Sequence, residues 1–246
     1  MADRYKNIQV YSHWEGMEDP ILMGELSASE VRGKEVFSFT YDNGWLQTQG
    51  RSILDPALHF YSGPQYLYDE KPNFGVFTDS SPDRWGRMLI KRREALRARE
   101  GKRPERRLLE SDFLLGVHDG SRMGALRFKA DPNGPFLDSD HRFATPPWTS
   151  LRQLESASLN LQDESSSENP SYSRWLDLLV APGSSLGGAR PKASVLAPDG
   201  TLWIAKFPGK SDAADIGLWE RLTVDLAKNC GIGMAESRCN SFTSAH

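Results

Sequence analysis

The chain has 246 residues, a formal net charge of −3 and a hydrophobic fraction of 38%, values that fit a soluble globular protein. This charge gives no general attraction to nucleic acid or to an anionic membrane. Its two cysteines, Cys230 and Cys239, are too few for a disulfide framework, and neither their spacing nor the scattered histidines form a metal motif. No signal peptide is recognisable, and no apolar run approaches the roughly 20 residues that cross a bilayer. These features predict a cytoplasmic protein.

Residues 7–50 carry the signals of strands and turns. Ile8–Tyr11 alternates between apolar and polar residues, and Val36–Tyr41 is rich in β-branched and aromatic residues. Asp42–Gly44 is a tight-turn sequence, which predicts that Trp45–Thr48 returns as a second strand. The sequence therefore predicts a small β domain, and this domain has no titratable cluster suited to catalysis.

Helical patterns begin after Phe77. Ser81 is the predicted N-cap and Pro82 the first helical position of a helix that runs through Trp85 towards Leu96. Further helices are expected over Leu108–Val117, Leu151–Leu161 and Trp175–Val180, and a buried strand over Met123–Phe128.

The stretch Lys91–Arg107 contains nine basic residues, interrupted by Glu94, Glu100 and Glu105. It is typical either of a nucleic-acid surface or of a solvated, salt-bridged helix followed by an exposed loop. The interspersed acids and the lack of stacking aromatics favour the second interpretation. Direct nucleic-acid binding ranks last among our functional hypotheses, and it predicts steeply salt-dependent retention of RNA or DNA.

A loop of small residues, Ala181–Lys192, leads into a predicted hairpin. Its strands are Lys192–Leu196 and Leu202–Phe207, joined by a turn at Asp199-Gly200. Glycines near a strand allow backbone N–H groups to approach phosphate oxygens, and Lys206 is one cation in an apolar strand. The loop and the lysine together indicate a nucleotide site.

A helix is predicted from about Ala213 to Asn229, with Ser211 or Asp212 as its N-cap. An apolar stripe of this helix is expected to face inward, and Glu220 lies partly on the same side. This glutamate is therefore a candidate partner for Lys206. The stripe consists of Ile216, Trp219, Thr223, Leu226 and Ala227.

The order of these elements is loop, strand, turn, lysine strand and glutamate helix, which follows the N-lobe of protein kinases. The loop itself is not a Walker A loop. That motif requires Lys and then Ser or Thr after its last glycine, whereas Ala189-Arg190 follows Gly188 here. A plain hairpin packed on a helix stays open as the structural alternative.

Several separated motifs, in the right order over roughly residues 5–238, resemble the HipA-type toxin kinases, which are serine/threonine kinases of bacterial toxin–antitoxin modules. The matching segments are Phe37–Asp42 with Trp45-Leu46, Phe77–Arg87, Asp112–Asp119, Gly124–Phe128, Ser185–Lys192, Trp203–Pro208 and Trp219-Glu220.

This resemblance implies a set of site residues. Lys206 would contact the phosphates of ATP, which is used with Mg²⁺, and Glu220 would support that lysine. Ser185 would lie in the mobile phosphate-binding loop as the autophosphorylation candidate, with Ser184 as a second candidate. The remaining residues expected to bind the cofactor are Gly187, Gly188 and Lys192.

The resemblance also has a limit. Family members have a C-terminal lobe with a catalytic aspartate loop and a metal-binding aspartate, and we identify neither after Lys206. We therefore assign no catalytic or metal-binding residue and expect a truncated chain with weak ATP binding and little or no kinase activity.

The expected fold class is α+β, with a β-rich N-terminal subdomain and helices, then a kinase-like N-lobe without a C-lobe. The domain prediction is 1–135 for the N-terminal subdomain, 136–170 for a connector, 171–238 for the N-lobe fragment and 239–246 for a non-family tail.

The resemblance implies a HipB-like helix-turn-helix antitoxin as partner and a translation component as protein substrate. The alternative to a kinase is a non-catalytic interaction module that binds such an antitoxin or a paralogous kinase.

Overall fold

The computed structural model describes residues 6–48, 53–67, 71–137, 145–183 and 186–242. It is a mixed structure of strands and helices. A five-stranded antiparallel sheet dominates the first half, and helices with a two-stranded hairpin form the second half.

The sheet has the strand order β4-β3-β2-β1-β5. Along β1 and β3 every second residue is buried, because successive side chains of a strand point to opposite faces. The strands predicted at Ile8–Tyr11 and Val36–Tyr41 are therefore confirmed. The five strands are β1 (Lys6–Ser12), β2 (Ile21–Val31), β3 (Lys34–Tyr41), β4 (Gln65–Tyr66) and β5 (Leu126–Lys129).

The described residues also form seven α-helices, a hairpin and short 3₁₀ helices. The helices are α1 (Asn43–Gln47), α2 (Gly75–Asp79), α3 (Arg84–Glu100), α4 (Glu110–Leu115), α5 (Leu151–Leu161), α6 (Tyr172–Gly183) and α7 (Ile216–Asn229). The hairpin consists of β6 (Lys192–Leu196) and β7 (Leu202–Lys206).

Two separate hydrophobic cores are formed. The first joins one face of the sheet to α1, α2 and α4, with Phe39, Phe77 and Phe128 fully buried in it. The second lies among α3, α5, α6 and the hairpin, and its members include Trp85, Leu154 and the strand residue Val195. The helix predicted at 151–161 is confirmed with these bounds, and it lies in this second core.

The strand predicted after Asp42–Gly44 is wrong, because the segment forms α1. The Asp42 carboxylate accepts the N–H groups of Gly44 at 2.8 Å and Trp45 at 3.2 Å, which makes it an N-cap. Trp45 is buried in the first core. The short polar side chain that suggested a hairpin turn thus starts a helix instead.

Two other helix starts also differ from the prediction. Asp83, and not Ser81, caps α3, since the Ser81 hydroxyl is used to donate to the Phe77 carbonyl at 2.8 Å. Asp215 caps α7 by accepting the Leu218 N–H at 2.9 Å.

The elements predicted over 108–117 and 123–128 exist with narrower or shifted bounds, as α4 and β5. Met123 lies outside the strand and is exposed.

Candidate nucleotide-binding site

The glycine loop is shorter than predicted, because Ala181–Gly183 form the last turn of α6 and are buried. Gly183 is needed there for packing. A Cβ at this position would lie 3.0 Å from Leu89 Cδ1, from the Lys192 carbonyl oxygen and from Trp85 Nε1. The predicted Ser184 and Ser185 lie outside the described residues.

The hairpin is confirmed, with Lys192 paired to Lys206 across the strands and Gly200 at φ +83° in the turn. Side chains of opposed residues share a face of the sheet. Val195 and its partner Trp203 pack into the second core. Lys192 and Lys206 therefore lie together on the other face.

Lys192 is buried and its ammonium group donates a hydrogen bond to the Gly187 carbonyl. Burial lowers the pKa of Lys192, and the positive charge of Lys206 lowers it further. Gly188 has φ +89°, and a Cβ there would come within 2.7 Å of Lys192 Nζ. The loop backbone and this ammonium group are thus directly adjacent.

Lys206 forms an ion pair with Glu220 of α7, as the sequence suggested. The two side chains are 51% and 48% exposed, so the pair is screened by solvent. Its significance is geometric, because the carboxylate orients a cation on the outer face of the hairpin.

The inward stripe predicted for α7 is wrong. Within the part of the chain that the structure describes, no side chain of this helix is buried, and Trp219 is 60% exposed. The exposed large apolar side chains of this helix are Ile216, Leu218, Trp219, Leu222 and Leu226. The apolar pattern is present, but none of the described segments covers it.

Sequence reasoning missed three contacts that build the site. The Asp83 carboxylate accepts the Gly188 N–H at 2.6 Å, although 105 residues separate the two. The Trp85 indole N–H donates to the Lys192 carbonyl at 2.9 Å. At the far end of the loop, the Arg190 guanidinium pairs with Asp212, which the sequence suggested as a helix cap. Contacts over such separations leave no local signal.

The chemistry of these groups suits a polyphosphate. Two ammonium groups and the N–H groups of a glycine-rich turn are the donors that proteins use for phosphate oxygens. Among the residues that the structure describes, no cluster of three or more His, Cys, Asp or Glu side chains could hold a metal ion.

The basic stretch 91–107 is largely engaged within the molecule. Arg103 donates to the Glu94 carboxylate at 2.7 Å, and Arg106 lies 3.4 Å from Asp112. Arg92 and Arg99 contact Ser166 and Ser167, respectively. The salt-bridged interpretation agrees with these contacts better than a nucleic-acid surface does.

Residues 184–246, about a quarter of the chain, match the family model of the HipA-like C-terminal domain. The match contains the loop, the hairpin and α7. The match makes this segment similar to the HipA-like C-terminal domain and supports a relation of the chain to the HipA family.

No curated protein and no solved structure matches the chain. Within the described ranges, no helix is long and apolar enough to cross a membrane.

Proposed function

We propose that the chain derives from the HipA-like serine/threonine kinases, which phosphorylate a protein with ATP, and that the chain itself binds ATP weakly and has little or no kinase activity. The observation that carries the proposal is the Lys206–Glu220 ion pair on the face of the hairpin that also bears Lys192. The family match over 184–246 includes all three residues. A kinase-like N-lobe is the fold that this arrangement favours.

Each residue has a distinct role in this proposal. Lys206 neutralises phosphate charge, and Glu220 holds its ammonium group in place. Lys192 adds a second positive charge, and Gly187 and Gly188 let the backbone approach the phosphates closely. Mg²⁺ would supply positive charge to the phosphates, and we assign it no protein ligand among the described residues. Ser185, with Ser184 as the second candidate, is the proposed site of autophosphorylation.

We expect ATP to bind weakly, because the lysine-bearing face of the hairpin is open to solvent at Lys206. Calorimetric titration of the full chain with ATP and Mg²⁺ measures this affinity. Lys206→Met is expected to weaken binding about tenfold, since a charge-assisted contact to phosphate is lost. Lys210→Met is the matched control, because Lys210 is an exposed lysine paired with Asp163. Equal affinity in both variants would contradict the proposal.

Transfer is tested separately by mass spectrometry of the chain after incubation with ATP and Mg²⁺. Phosphate on Ser185 that disappears in Lys206→Met would support kinase activity of the chain itself. We expect little incorporation, because no catalytic aspartate is assigned. Rapid incorporation that is insensitive to Lys206 would refute the assigned role of this lysine. The protein substrate that we propose is a translation component.

A second candidate function is a non-catalytic interaction module, which the exposed apolar side chains of α7 favour. The proposed partner is a HipB-like helix-turn-helix antitoxin or a paralogous kinase. Co-expression with a helix-turn-helix protein encoded next to this chain, followed by size-exclusion chromatography, tests it. A complex that is lost in Leu222→Ser supports the module, whereas a monomer in the presence of that protein counts against it.

A further inference from the structure

The N-terminus of α3 forms hydrogen bonds with both the N–H and the carbonyl group of Gly188 in the glycine loop. The Gly188 N–H donates to Asp83 Oδ2 at 2.6 Å, and the Gly188 carbonyl accepts the Trp85 N–H at 3.2 Å. The Trp85 indole adds the third bond, to the Lys192 carbonyl. Trp85 is buried in the second core and anchors this helix end beside the loop, whereas Asp83 is exposed.

Asp83 is bound there as an anion. Its carboxylate accepts two backbone N–H groups, those of Gly188 and of Arg84, the latter at 3.0 Å. These bonds, together with the positive charge of Lys192, lower the pKa of Asp83. A backbone amide of a glycine-rich turn beside a lysine is also the environment that binds a phosphate oxygen.

The neighbouring cation is likewise bonded from within. The Lys192 ammonium group donates to the Gly187 carbonyl, one residue before the amide that Asp83 accepts. The donors of Gly188 and Lys192 are thus both directed at acceptors of the same chain. An incoming phosphate must replace these acceptors and must also approach the Asp83 charge.

We propose that the Asp83 carboxylate competes with phosphate for the Gly188 N–H. The loop then binds a phosphate group only when Asp83 releases this N–H group. The contact is autoinhibitory, and it makes Asp83 a positioning residue for the loop. The class of ligand rests on the function proposed above. The bond between Asp83 and Gly188 does not depend on that function.

Amide exchange at Gly188, followed by NMR on the ligand-free full chain, tests the bond itself. Asp83→Gly removes the acceptor, and glycine is nearly as good an N-cap as aspartate, so α3 keeps its start. We expect exchange at Gly188 to become at least tenfold faster. Asp199→Asn, in the turn at the other end of the hairpin, is the control and leaves this rate unchanged. An unchanged exchange rate in Asp83→Gly would refute the proposed bond between Asp83 and Gly188.

Competition is tested by titrating the chain with ATP and with inorganic tripolyphosphate. Asp83→Asn keeps an N-cap oxygen but removes the charge, so we expect both ligands to bind about tenfold more tightly than to the unmodified chain. Asp199→Asn makes the same charge change and leaves both affinities unaltered. Equal or weaker binding by Asp83→Asn would refute the competition. If no variant bound either ligand, the proposed function and the competition would fail together. The exchange rates would still show whether Asp83 holds the Gly188 N–H.

Discussion

Substitution of Glu94 tests whether ion pairs within the basic stretch 91–107 stabilise the protein. Its carboxylate accepts two bonds from Arg103, at 2.7 Å and 3.2 Å, and one from the Arg106 backbone N–H at 3.0 Å. The bond from Arg103 is the main cause that lowers its pKa to about 2. We therefore expect Glu94→Gln to destabilise the protein at neutral pH.

The magnitude follows from the pKa. A shift from the ordinary 4.5 to about 2 corresponds to about 3 kcal/mol of stabilisation at neutral pH. The Glu94 side chain is only 10% exposed, but Arg103 is 43% exposed, so solvent screens the pair. We expect Glu94→Gln to lower the free energy of unfolding by about 1–2 kcal/mol.

The pH dependence has a definite sign. The folded pKa lies below the unfolded one, so the stabilisation is fully present above about pH 4.5 and is lost as the pH falls towards about 2. Urea unfolding followed by circular dichroism at pH 7, 5 and 3 measures it. The difference between the unmodified chain and Glu94→Gln should be equal at pH 7 and 5 and smaller at pH 3. Glu105→Gln, an exposed glutamate of the same stretch, is the control. If both variants were equally stable at pH 7, the structural role of Glu94 would be refuted.

Three further predictions concern the second half of the chain. Gly183→Ala should lower the free energy of unfolding by about 1–3 kcal/mol, measured in urea, because its Cβ would be overpacked against Leu89 and Trp85. Gly200→Ala meets no neighbour within 4 Å, so only the strain of φ +83° applies; we expect about 1–2 kcal/mol, and no loss would contradict this. Because Trp219 is exposed on an apolar helix, we expect the chain to associate with rising concentration in light scattering, and Trp219→Ser should reduce this association without lowering the melting temperature; unchanged association would exclude Trp219 as its cause.

Local signals account for what the sequence predicted well. The hairpin was predictable because Asp199-Gly200 separates two short apolar strands, and every one of those signals lies within fifteen residues. The Lys206–Glu220 pair was predicted together with an inward stripe of α7 that the structure does not show, but the pair itself forms between residues only 14 positions apart. The sheet strands 8–11 and 36–41 followed from alternation.

The wrong predictions share a physical cause. Asp42 can cap a helix or enter a turn, and the burial of Trp45 in a distant core favours the helix. The periodicity of α7 shows that an apolar stripe exists, but periodicity does not reveal what covers it. The contact of Asp83 with Gly188 depends on the packing of α3 against α6, which no window of sequence contains.

The presence of two cores has a consequence for how the protein unfolds. Polar contacts link the elements of the two cores, including the ion pair between Arg87 of α3 and Glu110 of α4 and the bond from Ser121 to the Ala181 carbonyl. Such links are weak beside the apolar packing within each core, so one core can melt while the other persists. The denaturation profile is then expected to show two steps, with the environment of Trp45 reporting the first core and that of Trp85 the second. The loop and hairpin would lose their shape with the second core, while the sheet domain stayed folded.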